Sequence, residues 1–215
     1  MTTARDDILN RIRRANGGID RKNAPTSHPV PARALGDHAV LVGRFIDMAR
    51  EAAAGISRVN HRSDIPMAIS AFLAAENLAG EIRISPDPRL ETLPWESAPD
   101  LSVSAGRARA DDPVSVTPAF AGIAETGTLM VHSGPDTPNT LHFLPETHIA
   151  LLSTEAIVGG YEDAWARLRA RFERLPRSVT LITGPSRSSD IERKVQIGVH
   201  GPRRLHIVLI DGEEI

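Results

Sequence analysis

The feature that most constrains the fold is a regular alternation of apolar strands and amphipathic helices in the second half of the chain. The pattern predicts strands over 148–152, 179–183 and 205–210, with helices over 161–175 and 190–197 between them. Strands that alternate with helices are typical of parallel βαβ units. We therefore predict an α/β fold, a three-layer αβα sandwich with a mainly parallel sheet. Ligands in such folds bind beyond the carboxyl ends of the strands.

A β-hairpin is predicted just before this alternation. Residues 114–124 and 128–131 indicate two strands, and Glu125-Thr126-Gly127 between them suits a tight turn in which glycine takes a positive φ. If this turn lies beside the strand loops, Glu125 is placed to act as a general base or to bind a ligand hydroxyl. The alternative is a solvated turn residue without a chemical role.

Residues 1–30 are predicted to form a helical arm and linker, separate from an α/β domain over 31–215. A helix over 4–15 places Ile8, Leu9 and Ile12 on one face, and a proline-rich segment typical of a linker follows it. The apolar face needs cover from this chain, from a second copy or from another partner. A homo-oligomer is therefore one expected use of the arm.

Composition excludes several classes of function. The 215 residues contain no cysteine, so they form no disulfide, no thiolate metal site and no Cys-ligated iron–sulfur cluster. The formal charge of -2 argues against a nucleic-acid-binding protein, which usually carries a basic excess. No segment approaches the ~20 apolar residues that span a membrane, and the N-terminus lacks the apolar core of a secretory signal. The expected location is the cytoplasm.

A second candidate site is the loop that leads into the helix predicted from residue 190. Backbone N–H groups at a helix start bind phosphate or carboxylate, and Ser186 and Arg187 add side-chain donors. Ser189 and Glu192 have the spacing of a capping box, which is the structural alternative for those two residues. The loop therefore predicts an anion site around Ser186 and Arg187.

Four histidines and the arginines near 161–175 receive a structural interpretation. Four histidines suit hydrogen-bonded strand and loop positions better than a metal site: His132, His142, His148 and His206. His200 is kept as a candidate because two glycines and a proline in the loop 198–202 imply a specific backbone path. The arginines near 161–175 are interpreted as a solvated helix face rather than a nucleic-acid patch, since acidic residues interrupt them.

Three stretches, taken in order, resemble one known family. They are Gly122-Ile123-Ala124-Glu125-Thr126-Gly127-Thr128 with Ser133-Gly134-Pro135, then Leu144-Pro145-Glu146-Thr147-His148, then residues 184–192 with Gly198-Val199-His200-Gly201-Pro202. Together they are similar to the LutC/YkgG group, lactate utilization protein C, whose shared unit is the LUD domain. The resemblance implies a fold like that of the NagB/RpiA/CoA-transferase group. It also implies a role in oxidising L-lactate to pyruvate, alongside two partner proteins that carry iron–sulfur clusters.

The resemblance makes the motif positions candidate site residues and assigns neither a metal nor a particular cofactor. Glu125 and His200 are the candidate catalytic residues. The candidate ligand-binding residues lie in the hairpin turn, in the loop that begins at residue 184 and in the predicted helix after it: Thr126, Gly127, Thr128, Gly184, Ser186, Arg187, Ser188, Asp190 and Glu192.

Three functions remain open at this point. The first is an accessory subunit of an iron–sulfur L-lactate oxidation system, which binds a small anionic ligand or a cofactor. The second is a free-standing enzyme that acts on a phosphorylated or CoA-linked small molecule, with Glu125 as acid/base or nucleophile. The third is a ligand sensor without catalysis. Because the chain has no cysteine, the first function places the electron carriers in partner subunits or in a bound cofactor.

Overall fold

The computed structural model of the protein describes residues 3–16, 29–188 and 196–212. The chain divides into two units, residues 1–30 and residues 31–215. The first unit contains helix α1 (Ala4–Asn16), which confirms the predicted amphipathic helix and leaves Ile8 and Ile12 exposed. What covers this apolar face stays a prediction.

The second unit contains all the other α-helices and strands of the described residues. In chain order they are α2 (His38–Glu51), β1 (Gly55–Val59), α3 (Ile65–Ala75), β2 (Glu81–Ile84), α4 (Pro88–Glu91), β3 (Ser102–Ala105), β4 (Val114–Pro118), β5 (Ala121–Ile123), β6 (Thr128–His132), α5 (Thr140–Phe143), β7 (Thr147–Ser153), β8 (Ile157–Val158), α6 (Tyr161–Arg171), β9 (Val179–Ile182), β10 (Arg187–Ser188), β11 (Gln196–Ile197) and β12 (Arg204–Ile210).

The main sheet has six parallel strands in the order β1-β12-β7-β4-β2-β3. Side chains alternate between its two faces: on β12, Val208 and Ile210 enter one core, whereas Ile207 and Leu209 enter the other. Helix α3 contributes to the first core and helix α2 to the second. Helices on both faces of a parallel sheet confirm the predicted three-layer α/β sandwich.

A second sheet carries the hairpin, in the order β8-β5-β6-β9. Strands β5 and β6 pair antiparallel, and Gly127 in the turn between them has a φ of 65°. Apolar side chains of these strands pack against Ala164 and Leu168 of α6. The predicted hairpin and its positive-φ glycine are therefore confirmed.

Two predicted strands differ from the structure because the chain changes sheets. The segment 114–124 is two strands, since the Ala119 N–H donates to Leu151 of β7 and the Phe120 N–H donates to Met130 of β6. The switch falls between the adjacent residues Ala119 and Phe120, directly after Pro118, which has no backbone N–H to extend β4. Strand β9 pairs antiparallel with β6 instead of joining the parallel sheet. The predicted series of parallel units is therefore wrong at β9, although β7 and β12 are parallel neighbours.

Two predicted helices also differ from the structure. Helix α6 ends at Arg171 rather than at residue 175, because Phe172 has extended backbone angles (φ -124°, ψ 120°). Gln196 and Ile197, predicted as helix, form β11 and pair antiparallel with β10. Residues 189–195, which include the rest of that predicted helix and its capping box, lie outside the described residues.

Candidate anion-binding cleft

A cleft of about 860 Å³ opens at the carboxyl ends of the main-sheet strands β2, β4 and β7. Asp87 follows β2, Pro118 ends β4 and Ser153 ends β7, and all three line the cleft. His132 at the end of β6 and the segment 167–176 supply further lining. The cleft therefore lies at the sheet edge where ligands bind in parallel α/β folds.

Four arginines line the cleft, and the first of them is held by an ion pair. The Asp87 carboxylate accepts hydrogen bonds from Nε and Nη2 of Arg89 at 2.9 and 2.6 Å. Burial of Asp87 opposes its ionisation, but the hydrogen bonds from Arg89 outweigh that penalty and lower the pKa of Asp87. Arg89 therefore has a defined orientation at the cleft.

The other three arginines come from α6 and the segment after it. Arg167 and Arg171 are four residues apart and share a helix face, and Arg174 follows the helix end. Arg167 donates from Nη1 to the Glu155 carbonyl at 3.1 Å. Because these three side chains line the cleft, the interpretation of this segment as a solvated helix face is incomplete.

His132 lies in the cleft beside two aromatic rings. Its ring centroid is 5.7 Å from that of Phe120 and 5.0 Å from that of Phe172, in edge-to-face geometry. Partial burial disfavours the imidazolium, and the positive charges of Arg89 and Arg171 disfavour it further, so the pKa of His132 is lowered. His132 is therefore a neutral imidazole at pH 7, with one nitrogen able to donate and the other able to accept a hydrogen bond.

The turn after His132 contains a buried hydroxyl without a partner. Gly134 and Thr137 exchange backbone hydrogen bonds of 3.1 and 3.3 Å. Thr137 lines the cleft and is 6% exposed, and its Oγ1 has no hydrogen-bond partner within the described residues. Buried polar groups are nearly always paired in folded proteins. Thr137 Oγ1 has almost no accessible surface, so it can donate to a ligand in the cleft only after a change of side-chain rotamer.

The predicted hairpin site forms a hydroxyl network. Oγ1 of Thr128 lies 2.6 Å from Oγ1 of Thr126, 2.7 Å from Oγ1 of Thr183 and 3.2 Å from the Tyr161 hydroxyl. The Tyr161 hydroxyl also lies 3.0 Å from Oγ1 of Thr126. These contacts tie the hairpin to α6 and to the end of β9, and they pair the hydroxyls with one another.

Glu125 and Gly127 occupy the turn of the hairpin. An added Cβ at Gly127 would lie 2.2 Å from the backbone N of Ala49 in α2, so the turn requires glycine on steric grounds as well as for its φ. The Glu125 N–H donates to the Gly159 carbonyl at 3.0 Å, and the Glu125 side chain lies close to Gly160. The catalytic role of Glu125 stays a prediction.

The predicted anion loop and the loop around His200 come together. The Gly198 N–H donates to the Ser186 carbonyl at 3.0 Å, and the His200 N–H donates to the Ser186 hydroxyl at 3.3 Å. Gly184 has a φ of 73°, and an added Cβ there would lie 2.1 Å from the Ala52 carbonyl oxygen. The structure thus brings Ser186 next to the backbone of His200.

None of the predicted site residues that the structure describes lines the cleft. Strand β5 begins and β6 ends beside the cleft, so the Glu125 turn lies at the other end of the hairpin, about 15 Å away by strand rise. Arg187 and Ser188 form β10, while Asp190 and Glu192 lie outside the described residues. The roles of all these residues stay predictions.

Three other histidines are buried in the core. Nε2 of His148 lies 2.8 Å from Thr117 Oγ1, and Nε2 of His206 lies 2.8 Å from Ser57 Oγ, as the hydrogen-bonded interpretation predicts. Nδ1 of both rings is buried without a partner among the described residues, so that interpretation holds for one nitrogen of each. His142 differs, because neither of its buried ring nitrogens has a partner in the part of the chain that the structure describes. Burial lowers the pKa of His142 to about 4, of His148 to about 3 and of His206 to about 4. Within the described ranges, no three His, Asp or Glu side chains form a metal-ligating group.

Sequence reasoning missed the cleft because its lining comes from distant segments. Asp87 and Arg89 lie in a proline-rich stretch without periodicity, and His132 was given only a structural role. One available signal was Ser133-Gly134-Pro135, which belongs to the stretches that carry the family resemblance and lines the cleft.

The fold and the cleft define a class: α/β sandwich proteins with an arginine-lined cleft at the carboxyl edge of a parallel sheet. The family model of the LUD domain matches residues 44–210. The chain therefore belongs to the LUD domain family, and the resemblance to lactate utilization protein C is confirmed.

Several known proteins are similar to this chain. Lactate utilization protein C of Geobacillus sp. (strain WCH70) is 32% identical over 132 residues, which are 58% of this chain and 52% of that protein. An uncharacterized protein of Neisseria meningitidis serogroup B is 39% identical over 92 residues, 43% of this chain and 40% of that protein. The chain thus spans about half, or less, of the curated relatives it matches.

The fold also has a counterpart among solved structures. A crystal structure of a DUF162 family protein from Deinococcus radiodurans matches with a TM-score of 0.59 and 22% identity, over 82% of this chain and 99% of that chain. This match supports the fold alone. Of the helices in the described ranges, none has the length and apolar content to cross a membrane.

Proposed function

We propose that this chain is an accessory component of an L-lactate oxidation system, which converts L-lactate to pyruvate, and that it binds a small anionic ligand or cofactor in the cleft. The observation that carries the proposal is the cleft itself, which gathers four arginines and a neutral histidine at the carboxyl edge of the parallel sheet. Membership of the LUD family and the similarity to lactate utilization protein C support the choice of process.

Electron transfer is assigned to iron–sulfur partner subunits. The 215 residues contain no cysteine, so they offer no thiolate for an iron–sulfur cluster. Instead of thiolates, the cleft supplies a set of guanidinium groups. Such groups form charge-assisted, often bidentate hydrogen bonds with carboxylate and phosphate.

The test uses cells that lack the chromosomal copy and grow on L-lactate. They are complemented with the tagged wild type, with the cleft variant Arg167→Gln/Arg171→Gln, or with the control variant Arg169→Gln/Arg177→Gln. The control removes the same charge from exposed residues that do not line the cleft. We expect the wild type and the control to restore growth and to co-purify with iron–sulfur proteins, and the cleft variant to fail in growth. Normal growth without the chain, or recovery of the chain alone, would contradict the proposal.

A second candidate function is a free-standing enzyme on a phosphorylated or CoA-linked small molecule, and the position of His132 favours it. A neutral imidazole in an anion-binding cleft is suited to general-base catalysis. The isolated chain would then turn over its substrate, and His132→Gln would lower the rate about 100-fold or more. Turnover that appears only after iron–sulfur partners are added would reject this candidate.

A further inference from the structure

We infer that the cleft takes a nucleotide-like ligand, in which a pyrophosphate group is joined to a planar aromatic ring. The inference rests on the proposed anion-binding role of the cleft and specifies its ligand class. It is carried by the size of the cleft, the balance of charge in its lining, a buried hydroxyl and a pair of aromatic rings.

The cleft is too large for a three-carbon acid. Its volume of about 860 Å³ falls in the upper part of the range of roughly 300–1,000 Å³ that is usual for sites enclosing drug-sized molecules. L-lactate and pyruvate would occupy only a small part of it. Most of the lining would then have no contact with the ligand.

The positive charge exceeds what one carboxylate matches. Asp87 already pairs with Arg89, and the three other arginines share the lining with one further carboxylate, that of Asp136. A carboxylate suits a single bidentate guanidinium, whereas a pyrophosphate offers several oxyanion acceptors on adjacent phosphates. The charge balance therefore favours a ligand with more than one negative charge.

The Thr137 hydroxyl is an independent indication of an oxyanion. It is buried in the cleft lining, and its Oγ1 has no hydrogen-bond partner among the described residues. Burying a hydroxyl without an acceptor is unfavourable. After a change of the Thr137 rotamer, a phosphate oxygen of the ligand would accept this hydrogen bond and remove the cost.

Aromatic side chains next to the arginines provide a surface for a planar ring. Phe120 and Phe172 both line the cleft, and their ring centroids are 6.0 Å apart. Both are partly exposed, and Arg171 lies 5.3 Å from the ring of Phe172. Nucleobases stack on such rings with little dependence on base identity. A base can therefore stack here while its phosphates reach the guanidinium groups.

The experiment measures binding to the purified full chain by isothermal titration calorimetry, with ADP, inorganic pyrophosphate, adenosine and L-lactate as probes. We expect ADP to bind most tightly, pyrophosphate and adenosine more weakly, and L-lactate not to displace ADP. Arg167→Gln/Arg171→Gln should weaken ADP binding about tenfold or more. Thr137→Val, which keeps the side-chain shape, should weaken it several-fold, while Arg169→Gln/Arg177→Gln should stay within about twofold.

Absence of ADP binding, or equal binding to the cleft and control variants, would overturn the inference, because equal binding indicates non-specific attraction. Displacement of ADP by L-lactate would overturn it as well. Circular dichroism and thermal melts verify that each variant is folded. If growth on L-lactate depends on the cleft arginines but ADP does not bind, only the ligand class is rejected. If ADP binds but growth on L-lactate does not depend on those arginines, only the proposed function is rejected.

Discussion

The two ends of the β5–β6 hairpin use polar residues in opposite ways. At the turn end, the hydroxyls of Thr126 and Thr128 bond to each other and to neighbouring side chains. At the other end, His132 and the arginines face a shared open space. Paired hydroxyls hold elements together, whereas groups that converge on a cleft are available to a ligand.

This difference explains why a recognisable motif and a binding site need not coincide. The glycines of the turn end are required by packing, since an added Cβ at Gly159 would lie 2.0 Å from the Ala34 carbonyl oxygen and one at Gly127 would meet α2. Restrictions of this kind limit a position to glycine, so they are easy to recognise in a sequence. Arginines reach a cleft on long, flexible side chains, so their positions follow a less recognisable sequence pattern.

The largest expected effect tests the structural role of the turn end. Gly127→Ala combines an unfavourable φ with a backbone clash, so we expect the free energy of unfolding to fall by about 4 kcal/mol. Gly43→Ala is the matched control, because Gly43 lies within α2 with open space around it and should gain about 0.5–1 kcal/mol. Urea denaturation measures both. A loss below 1 kcal/mol for Gly127→Ala would show that the turn is not sterically restricted.

The next effect concerns His142, which does not line the cleft and whose buried ring nitrogens have no partner within residues 3–16, 29–188 and 196–212. Its pKa of about 4 in the folded state lies below the unfolded value of about 6.5, so the unfolded state binds more protons and stability falls as the pH drops from 6.5 towards 4. His142 alone should cost about 2 kcal/mol at pH 5 relative to pH 8. His142→Leu should remove that part of the pH dependence in denaturation curves. An unchanged slope would reject this assignment.

A smaller effect is expected at Asp87, the buried carboxylate at the cleft. Because the folded pKa is lowered, the stabilisation by ionised Asp87 is present above the unfolded pKa of about 3.9 and is lost as the pH falls through the folded value. Asp87→Asn should lower stability at pH 7 by about 1–2 kcal/mol. The gap between the variant and the wild type should narrow as the pH falls below about 4 and close once the pH has passed below the folded pKa. A gap that persists there would mean that the ion pair with Arg89 is not its source.

The smallest effect is expected at Glu125. Its turn lies about 15 Å from the cleft by strand rise, which exceeds the Debye length of about 8 Å at physiological salt. Glu125→Gln should therefore change pyrophosphate or ADP affinity by less than about twofold, as measured by calorimetry. A tenfold change would place Glu125 in the same site as the arginines and erase the distinction between the two ends of the hairpin.

Local patterns were sufficient for much of the fold. The apolar runs of β7 and β12 and the turn at Gly127 predicted their elements, because burial on both sheet faces and a positive φ both restrict residue type. The same patterns failed where the structure of a segment depends on which strand it pairs with. In the segment 114–124, Pro118 marks the end of β4 but does not show that Phe120 joins a different sheet, and Gln196-Ile197 pairs as a strand with β10.

The α/β class, the family and the lack of thiolate ligands in these 215 residues follow from the sequence, because periodicity, motifs and composition are properties of neighbouring residues or of the whole chain. Which polar groups share a site depends on how the chain folds in three dimensions. Asp87, His132 and Arg171 are far apart in sequence and meet because parallel strands end at one edge and α6 leads from the hairpin turn to that edge. Such convergence depends on strand order and helix direction, which no local pattern encodes.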